Sequence, residues 1–252
     1  MDGVVRAMYR DPSGEPRPLV PGRVERLTID LGHIHHTFVA SSRLTTIEIN
    51  GTFYGAQKPA SFHRWYDETP EDFVFSLKGP RLATHRADLA GAGPTFDRFF
   101  SSGVLELRDK LGPILWQFPP NPPVDEGAFA AFIELLPPSV DGRALHHAVE
   151  LLGRKAASAS LIDLLRRHKV ALVAGDNPSD LEPTAEFVYT HLRRCTEEEP
   201  AGYPPEALDA WAERLRKQSA QHACNCFVYF ISGAKVRAPA AAQALLERLR
   251  SG

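Results

Sequence analysis

The chain has 252 residues, 43% of them hydrophobic and 24% charged, the proportions of an ordinary globular protein. A formal net charge of −2 supplies no global positive field, which argues against nucleic acid held by bulk charge. No apolar run approaches the roughly 18 residues of a membrane span, and the N-terminus, with Asp2 early, has no secretion signal's apolar core, so the cytoplasm is the expected compartment.

Residues 1–43 are poorly patterned. The stretches Asp11 to Pro16 and Pro18 to Gly22 are turn chemistry, and only Val24 to Leu31 reads as a strand. From Leu44 the pattern sharpens. Thr45 to Ile49 is short and β-branched, as a buried strand requires. Ser61 to Glu68 reads as a helix after Pro59, and Phe73 to Leu77 as a second strand ending at Lys78-Gly79-Pro80. Phe96, Phe99, Phe100 and Leu107 then space helically. Ile114 to Phe118 is a third strand, stopped by two prolines, and Phe129, Phe132, Ile133 and Leu136 form the stripe of an amphipathic helix.

The alternation continues to the end. Ala148 to Leu152 is a fourth strand, followed by helical spacing at Leu161, Leu164, Leu165 and His168. Val170 to Ala174 and Phe187 to Leu192 are the next strands. Pro205 opens a helix with Leu208, Trp211 and Leu215 on one face, since proline suits a first helical position. Phe227 to Ile231 is a seventh strand, and Pro239 opens a last helix through Leu245, Leu246 and Leu249. Strict strand–helix alternation implies parallel βαβ units, and seven strands plus the N-terminal one approach the eight of a TIM-type (β/α) barrel spanning residues 44–252 as one domain. If residues 1–43 supply no strand, the barrel is incomplete at its first strand. A doubly wound open sheet is the runner-up, weakened because no G-x-G-x-x-G or P-loop follows any strand.

In a barrel, the C-terminal ends of the strands face the active-site mouth. The residues there are Glu48 and Asn50, Lys78, Gln117, Glu150, Asp176, His191 and Ser232, nearly all polar or ionisable on apolar strands. Glu48 and Glu150 are the carboxylates for general acid–base work, and as a pair they also fit a hydrolase of glycosidase type. Lys78 is the cation that would stabilise charge beside them. Arg193 and Arg194 follow one late strand, and Lys235 and Arg237 another, where barrels often bind phosphate, so an anionic ligand is expected. His33, His35 and His36 sit in the unpatterned region and are read as surface histidines; no metal site is expected. Three cysteines make no disulfide framework. Cys224 and Cys226, two apart on a strand, share a face and read, with Cys195, as buried reduced thiols.

Four runs stand out: Glu48-Ile49-Asn50-Gly51-Thr52-Phe53-Tyr54; Thr69 through Phe75-Ser76-Leu77-Lys78-Gly79-Pro80; Leu111 through Trp116-Gln117-Phe118-Pro119-Pro120; and Phe227-Val228-Tyr229-Phe230. Together they resemble the YecE-like family, the domain of unknown function numbered 72, over roughly residues 44–250. The resemblance implies a TIM-type barrel and no defined reaction. It matches at Glu48, Asn50, Tyr54, Lys78, His85, Gln117, Glu150, Asp176 and Tyr229, and so adds Tyr54, His85 and Tyr229 to the expected binding residues. It departs where Leu151-Leu152-Gly153 replaces an Arg-His pair after Glu150, at His191 and Ser232, and in the N-terminal segment. The family's barrels look like that of endonuclease IV, which offers nucleic acid by analogy alone.

The expected function is an enzyme acting on a small anionic or phosphorylated molecule. Glu48 or Glu150 is the base, Lys78 the electrostatic stabiliser, and Asn50 and Gln117 orient the substrate. The alternatives are a non-catalytic binding barrel, favoured by the departures, and a nucleic-acid enzyme, disfavoured by the charge. Cofactor and oligomeric state are open.

Overall fold

The structure is a computed structural model that describes residues 44–121, 124–153, 157–222, 224–231 and 235–250. The expected N-terminal strand, the three histidines of residues 33–36 and Ser232 lie outside the described residues. The described residues divide into two compact units: those of 48–173 with 183–185, and those of 44–47, 174–182 and 186–250.

In chain order the first unit carries the end of β1 (Thr46–Ile49), α1 (Gly51–Tyr54), α2 (Pro59–Asp67), β2 (Val74–Lys78), α3 (Arg81–Thr84) and α4 (Gly93–Phe100). It continues through β3 (Leu111–Phe118), α5 (Glu126–Leu135), the two-residue strands β4 (Ser139–Val140) and β5 (Arg143–Ala144), β6 (His147–Leu151), α6 (Ala159–Arg167) and β7 (Ala171–Leu172). Its sheet has the order β1-β2-β3-β6-β7, and the pairings of β2 with β3, β3 with β6 and β6 with β7 are parallel. All the strands expected from Leu44 to Ala174 are present, with ends shifted by at most three residues, the largest shift at the start of β3. β7 is the shortest strand of this sheet, and at its start Thr184 Oγ1 donates to Val170 O and accepts from Leu172 N.

Register decides what each face carries. Ile114 pairs with His147, Trp116 with Val149, and Gln117 with Glu150. Because side chains alternate along a strand, Ile114, Trp116, His147 and Val149 share one face, and Gln117 and Glu150 take the other. Lys78 pairs with Leu115 and so falls on the face of Gln117. The first face is the dry one. Trp116 is fully buried against Phe96 and Phe99 of α4 and Phe132 of α5, with ring centroids 4.9 to 6.0 Å away.

The helices follow from their caps and stripes. Pro59 opens α2, which buries Phe62 and Trp65. Asp125 caps α5 through Ala128 N at 2.9 Å, and Ser158 caps α6 through Leu161 N. The expected run from Phe96 to Leu107 is not one helix: α4 ends at Phe100, Gly103 turns at φ 101°, and Leu107 belongs to a separate 3-10 segment, Val104–Lys110. Spacing could not show that break. The β4–β5 hairpin, also unanticipated, turns on Asp141-Gly142, both at positive φ, the chemistry of a tight two-residue hairpin.

Lys110 is buried where that 3-10 segment meets β3. Its ammonium donates to Tyr66 O and to Thr69 O at 2.8 Å, serving carbonyls at the end of α2, and lies 4.4 Å from the Tyr66 ring. Burial lowers its pKa from the ordinary lysine value.

Gly79, directly after β2, allows a close approach. A Cβ there would sit 2.3 Å from the Trp116 ring, which is too rigid and too tightly packed to yield. Gly79→Ala should therefore destabilise the protein by about 1–3 kcal/mol, read as a lower urea midpoint at unchanged slope.

The second unit contains β8 (Phe187–Leu192), α7 (Pro205–His222), β9 (Asn225–Phe230) and α8 (Ala238–Arg250). β8 and β9 pair in parallel from Phe187–Asn225 to Leu192–Phe230, and Ala174 bridges to Thr190. The core of this unit joins Val188 and Leu192 to Leu208, Trp211 and Leu215 of α7 and Ala241 and Leu245 of α8. Cys195, Cys224 and Cys226 are free and buried, as expected, although Cys224 lies just before β9.

Candidate functional site

Four strand ends of the first unit carry buried polar side chains: Glu48 on β1, Lys78 on β2, Gln117 on β3 and Glu150 on β6, each at most 9% exposed. Gln117 and Glu150 stand opposite each other by register, and Gln117 Nε2 donates to Glu150 Oε2 at 2.6 Å. A carboxylate held by an amide N–H keeps a fixed orientation.

Lys78 is positioned from two sides. Its backbone carbonyl accepts from Thr52 Oγ1 of α1 at 2.7 Å, and its ammonium sits 4.6 Å from the centre of the Phe53 ring. The same ring meets His85 edge-on at 5.4 Å and Tyr54 at 5.1 Å. His85 follows α3; its Nδ1 lies 3.0 Å from Thr84 Oγ1. Burial lowers the His85 pKa, and the charges of Arg81 and Lys78 push it the same way. Arg81 and Lys78 thus both act on His85, while Lys78 and His85 meet the Phe53 ring. Tyr54 is 76% exposed at the end of α1, and Asn50 lies half-buried before it, its carbonyl accepting from Phe53 N.

The remaining expected residues belong to the second unit. Asp176 Oδ1 accepts from Arg193 N at 2.9 Å, Arg194 N at 3.1 Å and Tyr203 Oη at 2.6 Å. This oxygen therefore fastens the segment after β8. Burial and the Asp176 carboxylate together raise the Tyr203 pKa. His191 is fully buried on β8, with its Nδ1 3.3 Å from Arg193 Nη2. A guanidinium only donates, so Nδ1 is the acceptor and the imidazole is neutral in this contact. Tyr229 on β9 is buried, its hydroxyl 2.8 Å from Thr46 Oγ1. Lys235 and Arg237 bound a 3-10 turn before α8, and Arg237 is half-buried. Among the described residues no group of three or more His, Cys, Asp or Glu could hold a metal ion.

Phe53, Arg81 and Tyr203 went unnoticed in sequence. Phe53 lies inside the distinctive first run, but its service to both Lys78 and His85 depends on α1 and α3 meeting. Tyr203 stands 27 residues from Asp176 and carries no local signal.

Parallel strands alternating with helices, with polar groups at the strand ends, define an α/β protein. The family model described as protein of unknown function DUF72 matches residues 36–252, and the chain belongs to that family. Two solved structures share the fold. A DUF72 family protein from Enterococcus faecalis V583 superposes with a TM-score of 0.67 at 18% identity, covering 86% of this chain and 93% of that one. Another, from Thermotoga maritima MSB8, gives 0.61 at 20% identity, with 85% and 86% covered. No curated protein matches the sequence. No helix among the described residues is long and apolar enough to cross a membrane.

Proposed function

We propose that the strand ends of the first unit form the active site of an enzyme acting on a small anionic molecule, with Glu150 as general base. The Gln117–Glu150 hydrogen bond carries this reading: a buried carboxylate, fixed at 2.6 Å, shares a sheet face with a buried lysine. An oriented base beside a cation can take a proton and stabilise the negative charge that develops. The positive charges of Lys78 and Arg81, which both act on His85, supply the preference for an anion. Glu48, buried on β1, is the second carboxylate and serves as the complementary acid. We assign the protein to the cytoplasm on the same reading.

The test is a thermal melt against phosphorylated and carboxylated metabolites, with neutral sugars as controls. A true ligand at about 100 times its Kd adds about 2.7 kcal/mol, an upward shift of roughly 5–10 °C for a chain of this size. Lys78→Met with Arg81→Met should abolish the shift. Glu150→Gln should keep it while lowering turnover of the identified ligand by about 100- to 10,000-fold. If no anion moves the melt, or the double variant responds like the wild type, the reading fails. Binding without turnover would leave a binding barrel instead.

A further inference from the structure

Two large apolar side chains lie open to solvent beside the cations of the first unit. Tyr54, at the end of α1, is 76% exposed, and Leu82, in α3, is 62% exposed. Single exposed apolar residues are ordinary; the neighbours set these two apart. α1 follows β1 and α3 follows β2, adjacent strands of the sheet, and the Phe53 ring meets His85 at 5.4 Å and so joins the two short helices. The Tyr54 ring stands perpendicular to Phe53 at 5.1 Å, a contact that orients it. The Lys78 ammonium lies 4.6 Å from the centre of the same Phe53 ring, so cation and tyrosine are within about 10 Å of each other. Arg81 precedes Leu82, and its carbonyl accepts from His85 N at 2.7 Å. Gly55, directly after Tyr54, has nothing within 4 Å of the position a Cβ would take, which leaves the flank of the tyrosine open.

We propose that the anion held by Lys78 and Arg81 carries a planar aromatic ring that stacks on Tyr54 with Leu82 at its border, so that the substrate class is an aromatic anion. This rests on the anion reading above and narrows it. The charges decide between an aromatic and an aliphatic group. Leu82 would welcome either, since it gains only by losing contact with water. Tyr54 pairs specifically with a second ring, by offset stacking. The cations add to this: an ammonium is drawn to the face of an aromatic ring, and a guanidinium stacks flat against one, whereas an alkyl group offers neither any attraction. The headgroup then meets Lys78 and Arg81 while the ring covers the exposed face of Tyr54.

The experiment is calorimetric titration of the full chain with phenyl phosphate, cyclohexyl phosphate and ethyl phosphate, which share one headgroup. Phenyl phosphate should bind about 5- to 10-fold more tightly than cyclohexyl phosphate, the affinity ratio that an aromatic pair supplies. Tyr54→Ala should erase that lead, Tyr54→Phe should keep it, and Lys78→Met with Arg81→Met should abolish binding of all three. Equal affinity for the phenyl and cyclohexyl esters, or a lead that survives Tyr54→Ala, overturns the aromatic class and leaves the anion reading standing. If none of the three binds while another anion shifts the melt, the aromatic class again fails alone; if no anion binds at all, both fall together. The comparison of phenyl with cyclohexyl phosphate needs no variant, so misfolding of a mutant does not blunt the test.

Discussion

Trp116→Ala should lower the unfolding free energy by about 3–5 kcal/mol, a large fraction of what holds a domain folded. Trp116 is fully buried on the dry face of the first unit's sheet, between Phe96, Phe99 and Phe132. Truncation removes the ring about which α4 and α5 pack and leaves a cavity that these rigid neighbours cannot fill. It also removes a hydrogen bond: the indole Nε1 donates to His147 Nδ1 at 3.1 Å, and the orphaned acceptor is buried. Urea unfolding measures the loss. Trp116→Phe keeps most of the volume and loses the N–H, so it should be destabilised by about 1–3 kcal/mol and remain folded. Equal effects of Ala and Phe would show that the hydrogen bond, rather than the packing, dominates.

Acid should weaken the protein through His147. This imidazole accepts from Trp116 at Nδ1 and lies 2.8 Å from Pro137 O at Nε2, so Nε2 carries the proton and the ring is neutral. Burial lowers its pKa to about 4 from 6.5, with the carbonyl of Pro137 opposing and His146 assisting. The sign follows directly: between pH 6.5 and about 4 the unfolded chain binds this proton and the folded chain does not. Stability supplied by the neutral ring is full above pH 6.5 and is lost as pH falls toward 4, amounting to about 3 kcal/mol. Chevron or equilibrium unfolding across that window should show the decline, and His147→Gln should flatten this part of the profile. An unchanged slope in the variant would assign the acid sensitivity to other groups.

Much of this arrangement was legible in sequence, and the reason is periodicity. β-branched and aromatic runs bounded by Lys-Gly-Pro or Pro-Pro mark buried parallel strands, so polar residues at their ends could be named in advance. Glu48, Lys78, Gln117 and Glu150 came from that rule alone. The break at Gly103 was not legible, because Phe96 and Leu107 keep helical spacing across it; what dictates it is the close approach of Pro59, whose Cα would lie 2.7 Å from a Cβ at Gly103. Nor could spacing show that Asp176 serves its own chain. As a polar residue beyond a strand it read as a ligand contact, and only the fold brings Tyr203 and two backbone N–H groups to one oxygen. Phe53 illustrates a third limit. An aromatic in a short helix reads as core, and its face toward a lysine and edge toward a histidine exist only after α1 and α3 have packed.

Lys110 ties the end of α2 to the entrance of β3 across 41 to 44 residues of chain. That span includes the whole of β2, so the clasp closes only when helix, strand and strand have already assembled. A link of this kind makes the βαβ segment all-or-none: α2 cannot fray from its C-terminal end without taking from the buried Lys110 ammonium the carbonyls it serves. Proteases that attack transient openings should accordingly find residues 59–118 a single protected block, cut only when the segment opens as a whole.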